Sequence, residues 1–190
     1  MKRFIPVLGL LIPLLLPVVS SAQVDYFGIP DTIYADIARI DSANWSITVN
    51  YTNDENIAGL SVPFKLSAGP VKIVADSTSY AGGRVEHFTY KSFRPDTAIQ
   101  CVTLGMIANL GPTKNVLSPG KGRLATIFVS SFDGQSIEKL NVDTITTNPN
   151  NSLMVVADRK ELEALKADSL PSNLDRRISI YPAFVVRYSK

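Results

Sequence analysis

Apolar and polar residues alternate most strictly between Trp45 and Leu66. Trp45, Ile47, Val49 and Tyr51 alternate with Ser46, Thr48, Asn50 and Thr52. After Asn53-Asp54-Glu55-Asn56 and Gly59, a second set, Leu60, Val62, Phe64 and Leu66, alternates with Ser61, Pro63, Lys65 and Ser67. A period of two sends each apolar set to one face of a pleated strand. The stretch therefore predicts two strands about a polar turn, with Trp45 in the core. Pro63 has no N–H to give to a ladder, which predicts an edge position or a bulge for the second strand.

The same texture runs on either side. Ile29-Pro30-Asp31 reads as a turn and Thr32 to Asp36 as a short edge strand. Downstream, Val71 to Asp76, Ile99 to Ile107, Gly122 to Ser130 and Ile137 to Ile145 read as strands rich in β-branched residues. Ala68-Gly69-Pro70, Gly82-Gly83 and Phe132-Asp133-Gly134 are turn signals; residues 109–122 and 146–151 read as loops. Leu153 to Val156 is a short apolar run that reads as buried on both sides, and Ile178 to Val186 reads as the final strand. Between them the texture changes once. Asp158-Arg159-Lys160-Glu161 has capping-box spacing with Leu162 and Leu165 after it, which predicts one short helix near 158–170, ended by Pro171. Many short strands and one helical insert predict a single all-β sandwich.

The amino-terminal 22 residues stand apart. Lys2 and Arg3 precede an apolar run from Phe4 to Val19, broken by Pro6, Pro13 and Pro17, and Ser20-Ser21-Ala22 supplies small residues before Gln23. That order is a secretory signal peptide, too short and too rich in proline for a spanning helix. The expected organisation is residues 1–22 as signal peptide and 23–190 as one domain, exported to the periplasm, the cell surface or the medium. No second apolar run is long enough to span a membrane, so no stable insertion is expected after cleavage.

Taking off the leader changes the charge. The chain has 19 Lys and Arg against 17 Asp and Glu; without Lys2 and Arg3 the two are equal, and the formal net charge is zero. A neutral chain has no long-range field toward nucleic acid or anionic lipid, and nucleic acid is set aside as a partner. Cys101 is the only cysteine, so no internal disulfide staples the fold. It lies in a strand-like run and reads as a small buried hydrophobe; the rival reading is a reactive or intermolecular thiol.

Three segments resemble exported bacterial cohesin-like β-sandwiches, which are structurally close to certain carbohydrate-binding modules. They are Trp45 to Asn53, Ala58 to Leu66, and Gly120-Lys121-Gly122-Arg123-Leu124-Ala125-Thr126-Ile127-Phe128-Val129. The resemblance implies a jelly-roll β-sandwich of about nine strands that binds a protein partner or, in related modules, a polysaccharide. Such motifs speak to fold before function.

Candidate chemistry is sparse. A nucleophilic triad needs a base, and His87 is the only histidine. One Cys and one His do not make a zinc site, and no Gly-rich phosphate loop precedes a helix. Glu161 and Glu163 would not share a helix face. No catalytic residue, metal site or cofactor is assigned, and enzyme activity is not expected. Calcium needs only oxygens, and Asn53-Asp54-Glu55-Asn56 and residues 148–151 offer them, although turns favour the same residues. The segment offered as a binding site is Tyr80 to Arg94. There Tyr80, Phe88, Tyr90 and Phe93 stand beside Arg84, His87 and Arg94, a mixture suited to a partner hot spot or to sugar stacking. The bland alternative packs these rings under a loop. The function expected is a binding or adhesion module for a protein partner; the alternatives are a polysaccharide-binding module and an envelope or matrix component that self-associates through a strand edge.

Overall fold

Strict alternation places β2 (Asn44–Asn53) at the heart of one sheet, with Trp45, Ile47, Val49, Tyr51 and Asn53 buried and the residues between them facing outward. The chain then crosses at Asp54-Glu55-Asn56 into β3 (Ile57–Ser67), which belongs to a second sheet. The polar turn thus joins two layers and does not fold its flanking strands into a hairpin. The computed structural model describes residues 29–108, 115–145, 154–157 and 179–189. The expected signal peptide, the expected 146–151 loop and the helix expected near 158–170 lie outside the described residues.

The other strands are β1 (Thr32–Arg39), β4 (Ile73–Ser79), β5 (Tyr90–Asp96), β6 (Cys101–Ile107), β7 (Gly120–Ser131), β8 (Asn141–Thr144), β9 (Met154–Ala157), β10 (Ser179–Ile180) and β11 (Ala183–Tyr188). Eleven strands are described where about nine were expected. The first sheet runs β11-β1-β2-β7-β4; the second runs β10-β9-β3-β6-β5, with β8 also paired to β3. Every pairing is antiparallel except that of β1 with β11. The fold is an all-β two-layer sandwich.

Three expectations about strand position are corrected. Thr32 to Asp36 is not an edge strand: β1 extends to Arg39 and lies between β2 and β11, whose sequence is far away at the other end of the chain. β3 is interior despite Pro63. On one side Pro63 pairs with Thr103; on the other it falls in the gap between Ser61, the last residue paired with β9, and Phe64, the first paired with β8. The proline therefore sits at a break in the ladder, where no N–H is required. The predicted final strand is two strands, separated at Tyr181-Pro182: β10 joins the second sheet and β11 the first. The run from Ile137 to Ile145 is also shorter than expected, since pairing covers only β8, although Ile137 and Leu140 are buried ahead of it.

Inner faces of both sheets make the core. Ile33, Ile37, Ile47, Val49 and Ile127 from the first meet Val62, Phe64, Leu104 and Met106 from the second, all fully buried. Phe64 of β3 and Phe184 of β11 tilt against each other across the layers at 5.7 Å between ring centroids, a contact adding about 0.5–1.5 kcal/mol beyond burial. Cys101 is a free, buried thiol in β6.

Candidate functional site

The segment from Tyr80 to Arg94 is half turn and half strand, and its seven candidate residues divide accordingly. Residues 80–89 form consecutive turns against β7. Gly83 is required there, because a Cβ would lie 2.4 Å from the carbonyl oxygen of Leu124. The next residue, Arg84, reaches back into the sandwich. Its Nη1 donates to the carbonyls of Tyr51 and Gly120, each at 3.0 Å, and its Nη2 to that of Ser118 at 2.6 Å. Burial pulls the guanidinium below its usual range. Arg84 is thus a clamp across three chain segments.

The aromatic residues divide as well. Phe88 is 2 % exposed and part of the core. Tyr80 and Phe93 are partly buried against it; the Tyr80 hydroxyl donates to the Ser92 carbonyl at 3.0 Å, and burial pushes its pKa up to about 12. His87 is exposed, edge-on to Phe88 at 5.1 Å, with Nε2 3.2 Å from the carbonyl oxygen of Asn115. A ring nitrogen facing a carbonyl must carry the proton and donate it. Tyr90 and Arg94 remain, both exposed and both on β5.

Register shows what those two residues join. Residues paired across antiparallel strands share a face. On the outer face of the second sheet, one row is Tyr90, Ile107 and Gly59; the next is Ser92, Gly105 and Ser61. A third is Arg94, Thr103 and Pro63, and the fourth places Asp96, Cys101, Lys65 and Asp143 in line. In the middle of this face Ser92 fills the space over Gly105, where a Cβ would meet its Oγ at 2.6 Å, and Pro63 is buried. Tyr90 and Ile107, 38 % and 37 % exposed, form an apolar end, and Arg94, Lys65 and Asp143 a charged end. Arg94 and Lys65 have no hydrogen bond or ion pair among the described residues.

The outer face of the first sheet contrasts with it. There Arg187 of β11 pairs with Asp36 of β1, stacks 4.3 Å from the Tyr34 ring, and Asn50 Nδ2 donates to Asp36 at 2.7 Å. Arg187 and Asp36 there satisfy one another. Sequence patterning missed Ile107 and Lys65 as companions of Tyr90 and Arg94, because only strand pairing brings them together.

A second cluster lies where the chain crosses between sheets. Asp31, Asp54 and Glu55 each place one carboxylate oxygen within 4.8 Å of the others. Asp31 and Glu55 are buried and Asp54 is exposed. The Tyr51 hydroxyl donates to Asp31, and the Ile29 N–H donates to Asp54 Oδ2 at 2.7 Å. Asp31 escaped the sequence reading because it precedes this turn by more than twenty residues.

No protein-family model matches the chain, and no curated protein matches it. Solved structures do. The chain is similar to the third cohesin of ScaC from Acetivibrio cellulolyticus, solved with the ScaB dockerin, at 13% identity and a TM-score of 0.52 over 83% of this chain and 98% of that one. It is similar to the OlpA cohesin of Clostridium thermocellum, solved with the dockerin Doc918, at 10% identity and a TM-score of 0.54 over 85% of this chain and 100% of that one. The OlpC cohesin of the same organism, solved with Doc435, gives 5% identity and a TM-score of 0.50 over 90% and 94%. The two-layer sandwich described above, matched along almost the whole length of each of these domains, is a cohesin-like β-sandwich.

Proposed function

We propose that this protein is a non-enzymatic, exported binding module that recognises a protein partner through the outer face of its second sheet. The observation that carries this reading is the cohesin-like fold, shared with three cohesins solved with a dockerin bound. The face itself adds support. It is apolar at one end and charged at the other, which suits a partner's surface better than a small ligand. Tyr90 and Arg94 are residue types that anchor such interfaces. Export is supported by the basic, apolar and small-residue order of residues 1–22. A polysaccharide reading keeps Tyr90 as its one exposed ring from the Tyr80–Phe93 set, the others being packed inward.

Calorimetric titration of the protein with dockerin modules encoded in the same genome tests the proposal. Binding that weakens at least about tenfold in Tyr90→Ala and in Arg94→Ala, with melting temperatures unchanged, is expected for contacts of this kind. Binding indifferent to both substitutions overturns the assigned face. Binding to glycans alone, lost in Tyr90→Ala, replaces the protein partner with a polysaccharide.

A further inference from the structure

We propose that the corner between the two sheets is a calcium site, formed by the carboxylates of Asp31, Asp54 and Glu55 with the side-chain oxygen of Asn53. Oxygens bound to one calcium lie about 2.3–2.6 Å from it, so two such ligands are at most about 5 Å apart. The three carboxylate oxygens meet that limit, all lying within 4.8 Å of one another. They come from two chain segments, the start of β1 and the β2–β3 crossing.

Asn53 is the independent pointer. It is 4 % exposed, follows Tyr51 in phase on the inner side of β2, and its Oδ1 has no hydrogen-bond partner among the described residues. Its Nδ2 donates to the backbone carbonyl of Glu55 at 2.6 Å, which holds the amide inside the same corner. A buried amide oxygen without a donor is costly, and calcium accepts such an oxygen beside carboxylates. Exposed Asp54 leaves a way in from solvent.

Calcium fits better than magnesium, which demands a near-regular octahedron and keeps its water. Among the described residues Arg84 is a cation near this corner, close enough for Tyr51 and Asp31 to act on its charge. Its guanidinium stays on the carbonyls of Tyr51, Ser118 and Gly120. A resident positive charge weakens cation binding, so affinity falls in the ~10⁻⁴–10⁻³ M range of extracellular modules. The bound ion ties the start of β1 to the crossing between the sheets, and its readout is independent of any partner.

The test uses the full chain, freed of metal by chelation. Calcium is expected to raise the melting temperature and give a single-site isotherm, with magnesium far weaker. Asp54→Asn is expected to weaken calcium at least about tenfold by removing one ligand charge, and Asp143→Asn, on the distant sheet face, to leave it unchanged. Terbium provides a readout without substitution: tyrosine-excited emission from Tyr51 beside Asp31, displaced by calcium, is expected. No heat and no thermal shift at about 5 mM calcium, above the weakest extracellular sites, overturns the proposal. So does an Asp54→Asn protein that binds like the parent, or terbium emission that calcium does not displace.

Discussion

Gln100 completes the backbone pairing of Ile73 with its side chain. Its Oε1 accepts from the Ile73 N–H at 2.9 Å, and its Nε2 donates to the Ile73 carbonyl at 2.8 Å. Ile73 opens β4 in the first sheet, whereas Gln100 leads into β6 in the second. One side chain therefore acts as a strand across the open side of the sandwich, and at the other end of β4 the Tyr80 hydroxyl links to Ser92 of β5. Gln100 has φ of 55°, a left-handed backbone uncommon for a residue with a Cβ.

Gln100→Ala leaves two groups of buried Ile73 without partners and is expected to cost about 1–3 kcal/mol. Gln100→Gly loses the same bonds but removes the left-handed strain, and is expected to cost about 1 kcal/mol less than the alanine change. Urea unfolding of both variants checks the order. An alanine variant as stable as the parent removes the clamp from the account.

Arg84 gives a sharper contrast between two cations. A lysine keeps the charge but cannot reach the carbonyls of Tyr51, Ser118 and Gly120 with one planar fork. Arg84→Lys is expected to destabilise by about 1–3 kcal/mol in thermal or urea unfolding. Retained stability would show that charge alone, and no fork geometry, serves at this position.

Tyr80 predicts an alkaline limit. Its folded pKa is pushed up to about 12 by burial, above the ordinary value of about 10. Between those values the unfolded chain has released the phenolic proton while the folded chain keeps it, so stability falls as pH rises through that window. Below about pH 10 the residue is neutral in both states and contributes no slope. Ultraviolet titration of the phenol and unfolding at stepped alkaline pH are expected to show the decline less steeply in Tyr80→Phe.

Burial also pushes the Cys101 thiol up, which reduces its thiolate and its reactivity. Thiol reagents at pH 8 are expected to label it slowly in the folded protein and fast in denaturant. Rapid stoichiometric labelling of the folded chain would favour the reactive-thiol reading.

What the sequence disclosed follows the range of the forces involved. Alternation about Trp45, Tyr51 and Phe64 is local, so the strands and their inward faces were plain. The crossing between sheets after Asn53 was not, since a polar turn looks the same whether its strands pair or part. Thr32 to Asp36 looked like an edge because its second partner, β11, is set by pairing across nearly the whole chain. Pro63 misled because the ladder breaks beside it, a fact of how β8 and β9 share one edge. In the Tyr80–Arg94 segment, composition alone could not separate Phe88, a core residue, from Tyr90, an exposed one. That distinction depends on a turn packed over β7 by Gly83 and Arg84.

The parallel contact of β1 with β11 sets an order in time. Asp36 and Arg187 are separated by 151 positions in sequence, so β1 must wait for a strand made long after it. Contacts this distant slow folding, since a long loop has to close first. A nascent or truncated chain lacking residues 183–188 presents Ile33 and Ala35 on a strand with one open edge, ready to pair with a neighbour. Arrival of β11 is thereby written into the fold as a condition for becoming inert.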